Sequence, residues 1–467
     1  MWYKNTKIVI PEFVKRPVCG VYEKDVEVAR KIGARYRKWA DVQQNWYANA
    51  GINRPFAKYI LRDAKKCYSD IKTAYESKDH DAVLEYQNYW IANARERIKS
   101  IFDDPKCTMM FDSNGSCVIS TIAKGLRGLD DKFQTLTFSD QGRLVYSALG
   151  FETDSISKFS MNFDQPLQLL DAPSPRIKIH TKPTPPKEVN VLDIFHPNNT
   201  YKSDALIIDE YRKLLTKNKD IRMVLLLHVS RTGRRMPVED LIEITHRIRD
   251  DVSVFVDGCQ AVGRISWREV KHVYSQADGY IFVGHKALGS MISGVAVLKE
   301  GMERKLEGIA NNSLLYHFRL FQFETERMNE LILHRCARTG KHYFFVSAPE
   351  AISLSEAVID NSQNYWEYHK IIASRKEDLS QFLNEYDCIR MNLNNCPIVD
   401  DIIAFHTDPP LMAPYIKDYL QRSNEPITVA PLTDNLAVRI AIDPKNPNLP
   451  TAIPYLKKKL AEAIEQF

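Results

Sequence analysis

The chain has 467 residues, 44% of them hydrophobic, with 64 basic and 59 acidic side chains and a net charge of +5. That length supports a large core and more than one domain, while the near-balance of charge argues against a nucleic-acid or membrane-surface protein and leaves an anionic small molecule compatible. No segment approaches the ~18 apolar residues of a membrane span, the opening MWYKNTKIVIPEF lacks the apolar run of a signal peptide, and eight cysteines without a CxxC pair read as reduced thiols, so a cytoplasmic protein is expected.

From about residue 24 to 103 the pattern is helical. DVEVARKIGARYRKWADVQQNWY and DAVLEYQNYWIANARERIKSIF space their apolar residues as helices do, and Trp90, Ile91, Ala94, Ile98 and Ile101 share one face that reads as core or subunit contact. Residues 1–100 are therefore taken as an N-terminal helical segment. From Cys107 short apolar runs alternate with amphipathic helices: TMMF, QTLTF, VNVL, MVLLL, VSVFVD, YIFVG and GVAVL. Such alternation predicts an α/β domain over 101–339, with a mostly parallel sheet covered on both faces. The proline-rich DAPSPRIKIHTKPTPPKEV reads as a surface excursion. After about residue 340 a long helix, the strands IIAFHT and LAVRIAI and a closing helix, with Ile453, Leu456, Leu460 and Ile464 on one face, predict a smaller α+β domain over 340–467. No internal repeat or low-complexity tract is present.

Two charged residues stand at the ends of successive apolar strands. Asp257 ends VSVFVD and Lys286 follows YIFVGH. A carboxylate at the end of an apolar sheet calls for a cation, and a desolvated lysine is a candidate Schiff-base nucleophile. Pyridoxal phosphate requires both: a lysine for its aldehyde and an acid for its ring nitrogen. Read alone, Asp257 is also compatible with a helix N-cap. The turn Ser113-Asn114-Gly115-Ser116 between a strand and a helix offers N–H groups to a phosphate, or simply an N-cap. His228, Ser230, Arg231 and Thr232 lie at the carboxyl end of MVLLL, where open α/β sheets bind ligands. Arg234 and Arg235 read as a solvated turn. GHKALGS lacks the order of a Walker A loop, and His334, Cys336 and His342 match no common metal-ligand spacing, so no metal is expected. Alternation along Ala437-Val438-Arg439-Ile440 would point Arg439 outward.

In order, NGS, HVSRTG, VDGCQAVG, GHKALG and VRIAI resemble class V of the aminotransferase superfamily, the fold-type I enzymes that use pyridoxal phosphate, from about residue 95 to the C-terminus. The branch with cysteine desulfurases, isopenicillin N epimerase-like enzymes and C–S lyases is the most similar. The resemblance implies a seven-stranded sheet in the large domain and a set of roles. Lys286 would form the Schiff base and move protons at the substrate Cα, with His285 beside it. Asp257 would pair with the pyridine nitrogen and Gln260 with the phenolic oxygen. Gly115, Ser116 and His285 would face the phosphate. Thr339 would reach the phosphate of a second subunit, implying a homodimer with shared sites. Arg439 would grip the substrate carboxylate.

The sequence departs from the pattern in several places. Val283 stands where many relatives have a phosphate-binding serine, Gly289-Ser290 replaces a glycine-proline pair, and Arg231 replaces a common asparagine. Gln141 is a candidate for the ring-stacking position near SDQGRLVY. The stretch RSNEPITVAPLTDNLAVRI holds no cysteine that could accept sulfur, which disfavours desulfuration. The expected function is a lyase or epimerase acting on an amino acid, with aminotransferase as the alternative and a non-catalytic scaffold disfavoured by Lys286, Asp257 and Arg439. Arg231 is taken as a second substrate contact, facing a distal carboxylate.

Overall fold

The computed structural model describes residues 62–467 except 78–79, 113–114, 128–129, 131, 142, 150–184, 198–199, 285, 291–292, 303–304, 307–347, 392–395, 423–429, 433–436 and 443–448. All but the last five residues of the proline-rich segment, and His334, Cys336, Thr339 and His342, thus lie outside the described residues, as do His285, Ser113 and Asn114.

Two helices come first, α1 (Arg62–Glu76) and α2 (His80–Phe102). On α2, Trp90, Ile91, Ala94 and Ile98 are buried and Ile101 is partly so, as the helical spacing predicts. A seven-stranded sheet follows. Its strands are β1 (Thr108–Asp112), β2 (Gln134–Phe138), β3 (Val189–Leu192), β4 (Ile221–Leu227), β5 (Ser253–Asp257), β6 (Gly279–Val283) and β7 (Gly294–Leu298). They lie in the order β1-β7-β6-β5-β4-β2-β3. β7 runs antiparallel to both neighbours, and the pairings from β6 to β3 are all parallel. The carboxyl ends of β1, β6, β5, β4 and β2 therefore open on one edge.

Alternation along the strands feeds two cores. Met223, Leu225, Phe255, Ile281 and Val283 face α3 (Gly115–Arg127) and α4 (Arg143–Leu149). Val224, Leu226, Val254, Tyr280 and Phe282 face the other side, with α5 (Asp204–Lys217), α6 (Val238–Ile248), α7 (Trp267–Gln276) and the N-terminal pair. Burial on both faces is why these strands read as continuous apolar runs. Helix starts follow local chemistry: the Ser203 hydroxyl accepts the Leu206 N–H at α5, and the Ser266 hydroxyl accepts the Glu269 N–H at α7.

Helix α8 (Ala348–Asn384) joins this body to a second one. Its first turns bury Ala351, Ile352, Leu354 and Val358 in the large core, and Leu379 and Leu383 enter a separate core. That core lies under a four-stranded sheet of β8 (Ile389–Met391), β9 (Ile402–Thr407), β10 (Ala430–Leu432) and β11 (Ala437–Ala441), in the antiparallel order β10-β11-β9-β8. Helices α9 (Met412–Arg422) and α10 (Leu449–Glu465) complete it, with Ile453, Leu456 and Leu460 buried and Ile464 packed against them. Among the described residues no helix is long and apolar enough to cross a membrane.

One expectation fails clearly. Arg234 is not a solvated turn residue but is 0% exposed, with Nη2 2.5 Å from Asp204 and its guanidinium over the Tyr201 ring. Its backbone bridges to Ile398, which brings a distant segment over it. Arg235 is half-exposed and pairs with Glu269.

Candidate active site

The sheet topology gathers the site at the carboxyl edge. Asp257 ends β5 and is buried. The turn behind it is fixed by backbone bonds: the Gly258 N–H donates to Ile281 O at 2.7 Å, and the Cys259 N–H donates to Asp257 Oδ1 at 2.9 Å. One carboxylate oxygen is thereby held by the backbone. Gly258 is dictated by Tyr280, because a Cβ there would lie 2.1 Å from Tyr280 Cε1. The Tyr280 hydroxyl in turn meets His228 Nδ1 at 2.7 Å, behind the turn.

Gly115 opens α3 directly after β1, and a Cβ on it would stand 2.9 Å from Cys259 Sγ and 3.0 Å from Val283 Cγ1. The helix N-terminus is thus pressed against the ends of β5 and β6 by a residue that has no side chain. Ser116 is half-buried in the first turn. Lys286 follows β6 and is partly exposed. Burial holds its ammonium below the usual lysine range; Cys259 and Asp257 oppose that, and Arg439 and Arg264 add to it. A lysine so placed reaches its neutral, nucleophilic form more readily than one in water.

The opposite wall comes from the smaller sheet. Arg439 on β11 is 2% exposed, not outward-facing, and its Nη1 donates to the Arg231 carbonyl at 2.7 Å. Burial first, then Arg231 and Arg264, push it down to about 9. Both faces of β11 are covered, one by the small core and the other by the strand ends of the large body. Arg264 forms a buried ion pair with Asp401 at 2.7 Å and donates Nη1 to the Gln260 carbonyl at 3.2 Å. Gln260 is buried, and its Oε1 has no partner among the described residues.

Asp140, just past β2, is buried with a left-handed φ of 67°. It accepts the Thr232 N–H at 2.8 Å and the Thr232 hydroxyl at 2.7 Å. Burial raises its carboxyl above the usual range, against the pull of Arg231. Beside it Gln141 is buried, with Nε2 donating to Thr137 Oγ1 at 3.0 Å and Oε1 unpartnered among the described residues.

Lys286, Asp257, Gln260, Gly115 and Arg439 are thus brought to one edge, with Arg231 beside Arg439. His285 and Thr339 lie outside the described residues. Sequence reasoning missed Asp140, Arg264 and Asp401. The signals were present but thin: an acid immediately after an apolar strand in QTLTFSDQ, and an arginine inside the apolar VGRI.

The donor set fits pyridoxal phosphate. A buried carboxylate stands at one strand end, a lysine with a depressed affinity for protons follows the next strand, and a helix N-terminus without a side chain abuts Cys259 and Val283 beside them. Among the described residues no cluster of His, Cys, Asp and Glu is arranged to hold a metal ion.

Comparison with known proteins gives the same direction. The family model "Aminotransferase class-V" matches residues 192–330, which include Asp257, Gln260 and Lys286. A comparison with curated proteins found no match. Among solved structures, a NifS-like protein superposes with a TM-score of 0.62 at 15% identity, over 90% of this chain and 100% of that one. A C-DES mutant with glycine covalently linked to its PLP cofactor gives 0.58 at 16%, over 89% and 96%. A structure described as SPT with PLP gives 0.56 at 12%, over 90% and 86%. At these identities the superpositions speak for the fold. Residues 192–330 are thus similar to the aminotransferase class-V family, and the chain as a whole has the fold of these solved structures.

Proposed function

We propose that the protein is a pyridoxal-phosphate enzyme that deprotonates an amino acid at Cα, and that the reaction ends in elimination or epimerisation. The observation that carries this reading is the meeting of Asp257 and Lys286 at the ends of the paired strands β5 and β6. The cofactor, when bound, supplies an aldehyde for the substrate amine and an electron sink for the carbanion.

The chain's own residues would do the rest. Asp257 offers the oxygen not held by the Cys259 N–H to the ring nitrogen, and so keeps that nitrogen protonated. The Gln260 amide donates to the phenolic oxygen. Gly115 and Ser116 present the first N–H groups of α3 to the phosphate, with His285 and a partner subunit's threonine equivalent to Thr339 completing that end in a homodimer. Lys286 would hold the cofactor through its aldehyde and would carry the proton at the substrate Cα; its lowered affinity for protons favours both roles. Arg439 orients the substrate by its carboxylate. The separate cores support a large body and a smaller one joined along α8, the core of the large body reaching Val358 and also taking in the helices before residue 102.

Aminotransfer is the second reading, and the family match favours keeping it. Desulfuration is less supported, since residues 422–435, RSNEPITVAPLTDN, contain no cysteine. A panel of amino acids added to the protein loaded with pyridoxal phosphate separates these outcomes. Release of ammonia or a β-substituent, or loss of optical rotation, with the cofactor spectrum restored unaided, supports the proposal. Accumulation of the amine form of the cofactor, reversed only by a keto acid, would replace it with aminotransfer.

A further inference from the structure

A chain of polar side chains that the proposed chemistry does not use runs behind the turn after β5. His228, at the end of β4, and Tyr280, on β6, meet across β5, with His228 Nδ1 2.7 Å from the Tyr280 hydroxyl and both side chains buried. The other ring nitrogen of His228, Nε2, lies 3.4 Å from Glu269 Oε1. Glu269 is itself held in the first turn of α7: the Ser266 hydroxyl accepts its N–H, and its carboxylate pairs with Arg235. Its outer side lines a cavity of about 960 Å³ together with Glu239 and His272. One end of the chain therefore meets water, and the other is dry.

The direction of the bonds follows from the groups. Burial, against the pull of Glu269, holds His228 below the usual histidine range, so the ring is neutral and carries one N–H. A carboxylate can only accept, which puts that proton on Nε2 and leaves Nδ1 to accept from the Tyr280 hydroxyl. Burial, then Asp257 and Glu269, raise the Tyr280 phenol well above its usual range, so it stays a donor. The inner end of the chain presses on the Asp257 turn. A Cβ on Gly258 would lie 2.1 Å from Tyr280 Cε1 and 2.5 Å from its hydroxyl oxygen, and the His228 N–H donates to the Asp257 carbonyl at 3.1 Å. We infer that Glu269, His228 and Tyr280 are positioning residues for Asp257: they hold the turn that presents its carboxylate to the cofactor's ring nitrogen, and they tie that turn to a side chain on the outer face. This inference rests on the pyridoxal-phosphate reading and deepens it.

The test uses the full-length protein and pyridoxal phosphate labelled at its ring nitrogen for NMR. Wild type is compared with Tyr280→Phe, Glu269→Ala and Glu269→Gln. Cofactor affinity is measured by titration, the protonation of the ring nitrogen by its chemical shift, and stability by urea unfolding. Among the described residues the Glu269 side chain pairs with His228 and Arg235, so its variants leave the groups assigned to the cofactor in place. A buried polar group left without its partner costs roughly 5- to 100-fold in an equilibrium. Tyr280→Phe and Glu269→Ala are each expected to bind the cofactor at least ~5-fold more weakly, with the ring-nitrogen signal moved toward the unprotonated value. Glu269→Gln keeps an acceptor for His228 and should recover part of both effects. If Tyr280→Phe does not fold, the Glu269 pair gives the same two readouts. Wild-type affinity with an unmoved nitrogen signal in the variants, whatever their stability, makes the chain a packing feature and overturns the inference. A wild-type protein that binds no cofactor overturns the reading beneath it instead.

Discussion

Asp401→Asn probes the joint between the two bodies. Asp401 and Arg264 are 1% and 0% exposed and lie 2.7 Å apart. Asp401 sits at the entry to β9, where its carbonyl also accepts the Ile442 N–H at 2.8 Å, whereas Arg264 belongs to the turn after β5 and holds the Gln260 carbonyl. The amide has nearly the size of the acid but none of its charge. Arginine cannot escape by losing its proton, so the variant removes the buried charge set against it while Arg439 and Lys286 remain in its field. Breaking one half of a buried pair costs about 3–5 kcal/mol. Set against a typical stability of ~5–15 kcal/mol, that is a large fraction. Removing both charges tells the pair apart from general packing: Asp401→Asn with Arg264→Met should recover most of the loss, since an apolar replacement of a buried pair is often neutral. Urea unfolding of wild type, both singles and the double, followed by far-UV circular dichroism, gives the cycle. An Asp401→Asn midpoint within about 1 kcal/mol of wild type, or a double variant weaker than the single, would refute the reasoning.

Gly258→Ala should destabilise by at least ~1–3 kcal/mol, because the new methyl must displace the buried Tyr280 ring and its bond to His228; it should also weaken cofactor binding, measured by titration with pyridoxal phosphate, whereas unchanged stability would mean that the ring moves freely. Glu356 accepts the Asp63 and Ala64 N–H groups at the start of α1, and burial pushes it up to about 7. A carboxyl raised in the folded state contributes stability that is full below its unfolded value of ~4.3 and lost as pH rises through 7. Glu356→Gln should therefore gain on wild type between pH 5 and pH 8 in urea midpoint, and a constant offset between the two proteins would contradict this.

Much of the architecture can be read from the chain because its strands are buried on both faces. VSVFVD and YIFVG admit no charge until their ends, so Asp257 and Lys286 had to stand at a sheet edge. The order of strands is less legible. β1 and β7 pair although residues 112 and 294 are far apart in sequence, and nothing local in TMMF or GVAVL encodes that partner or its antiparallel sense. Arg439 shows the limit of alternation. Between Val438 and Ile440 it reads as solvent-facing, yet the face opposite the small core is covered by the large body. Arg234 reads as a turn cation for the same reason, since Asp204, Tyr201 and Ile398 approach it only in the fold. Arg264 and Asp401 meet across the two bodies and Asp140 meets Thr232 across the ends of β2 and β4, and such long-range contacts leave only a charge in an apolar setting as their trace in sequence.

The most direct measurement is chemical trapping of the cofactor on the chain. The protein is incubated with pyridoxal phosphate, reduced with borohydride, digested and mapped by mass spectrometry. The account predicts a phosphopyridoxyl group on Lys286, absent in Lys286→Ala with the fold retained by circular dichroism. Labelling spread over surface lysines, with Lys286 unmodified, would contradict it.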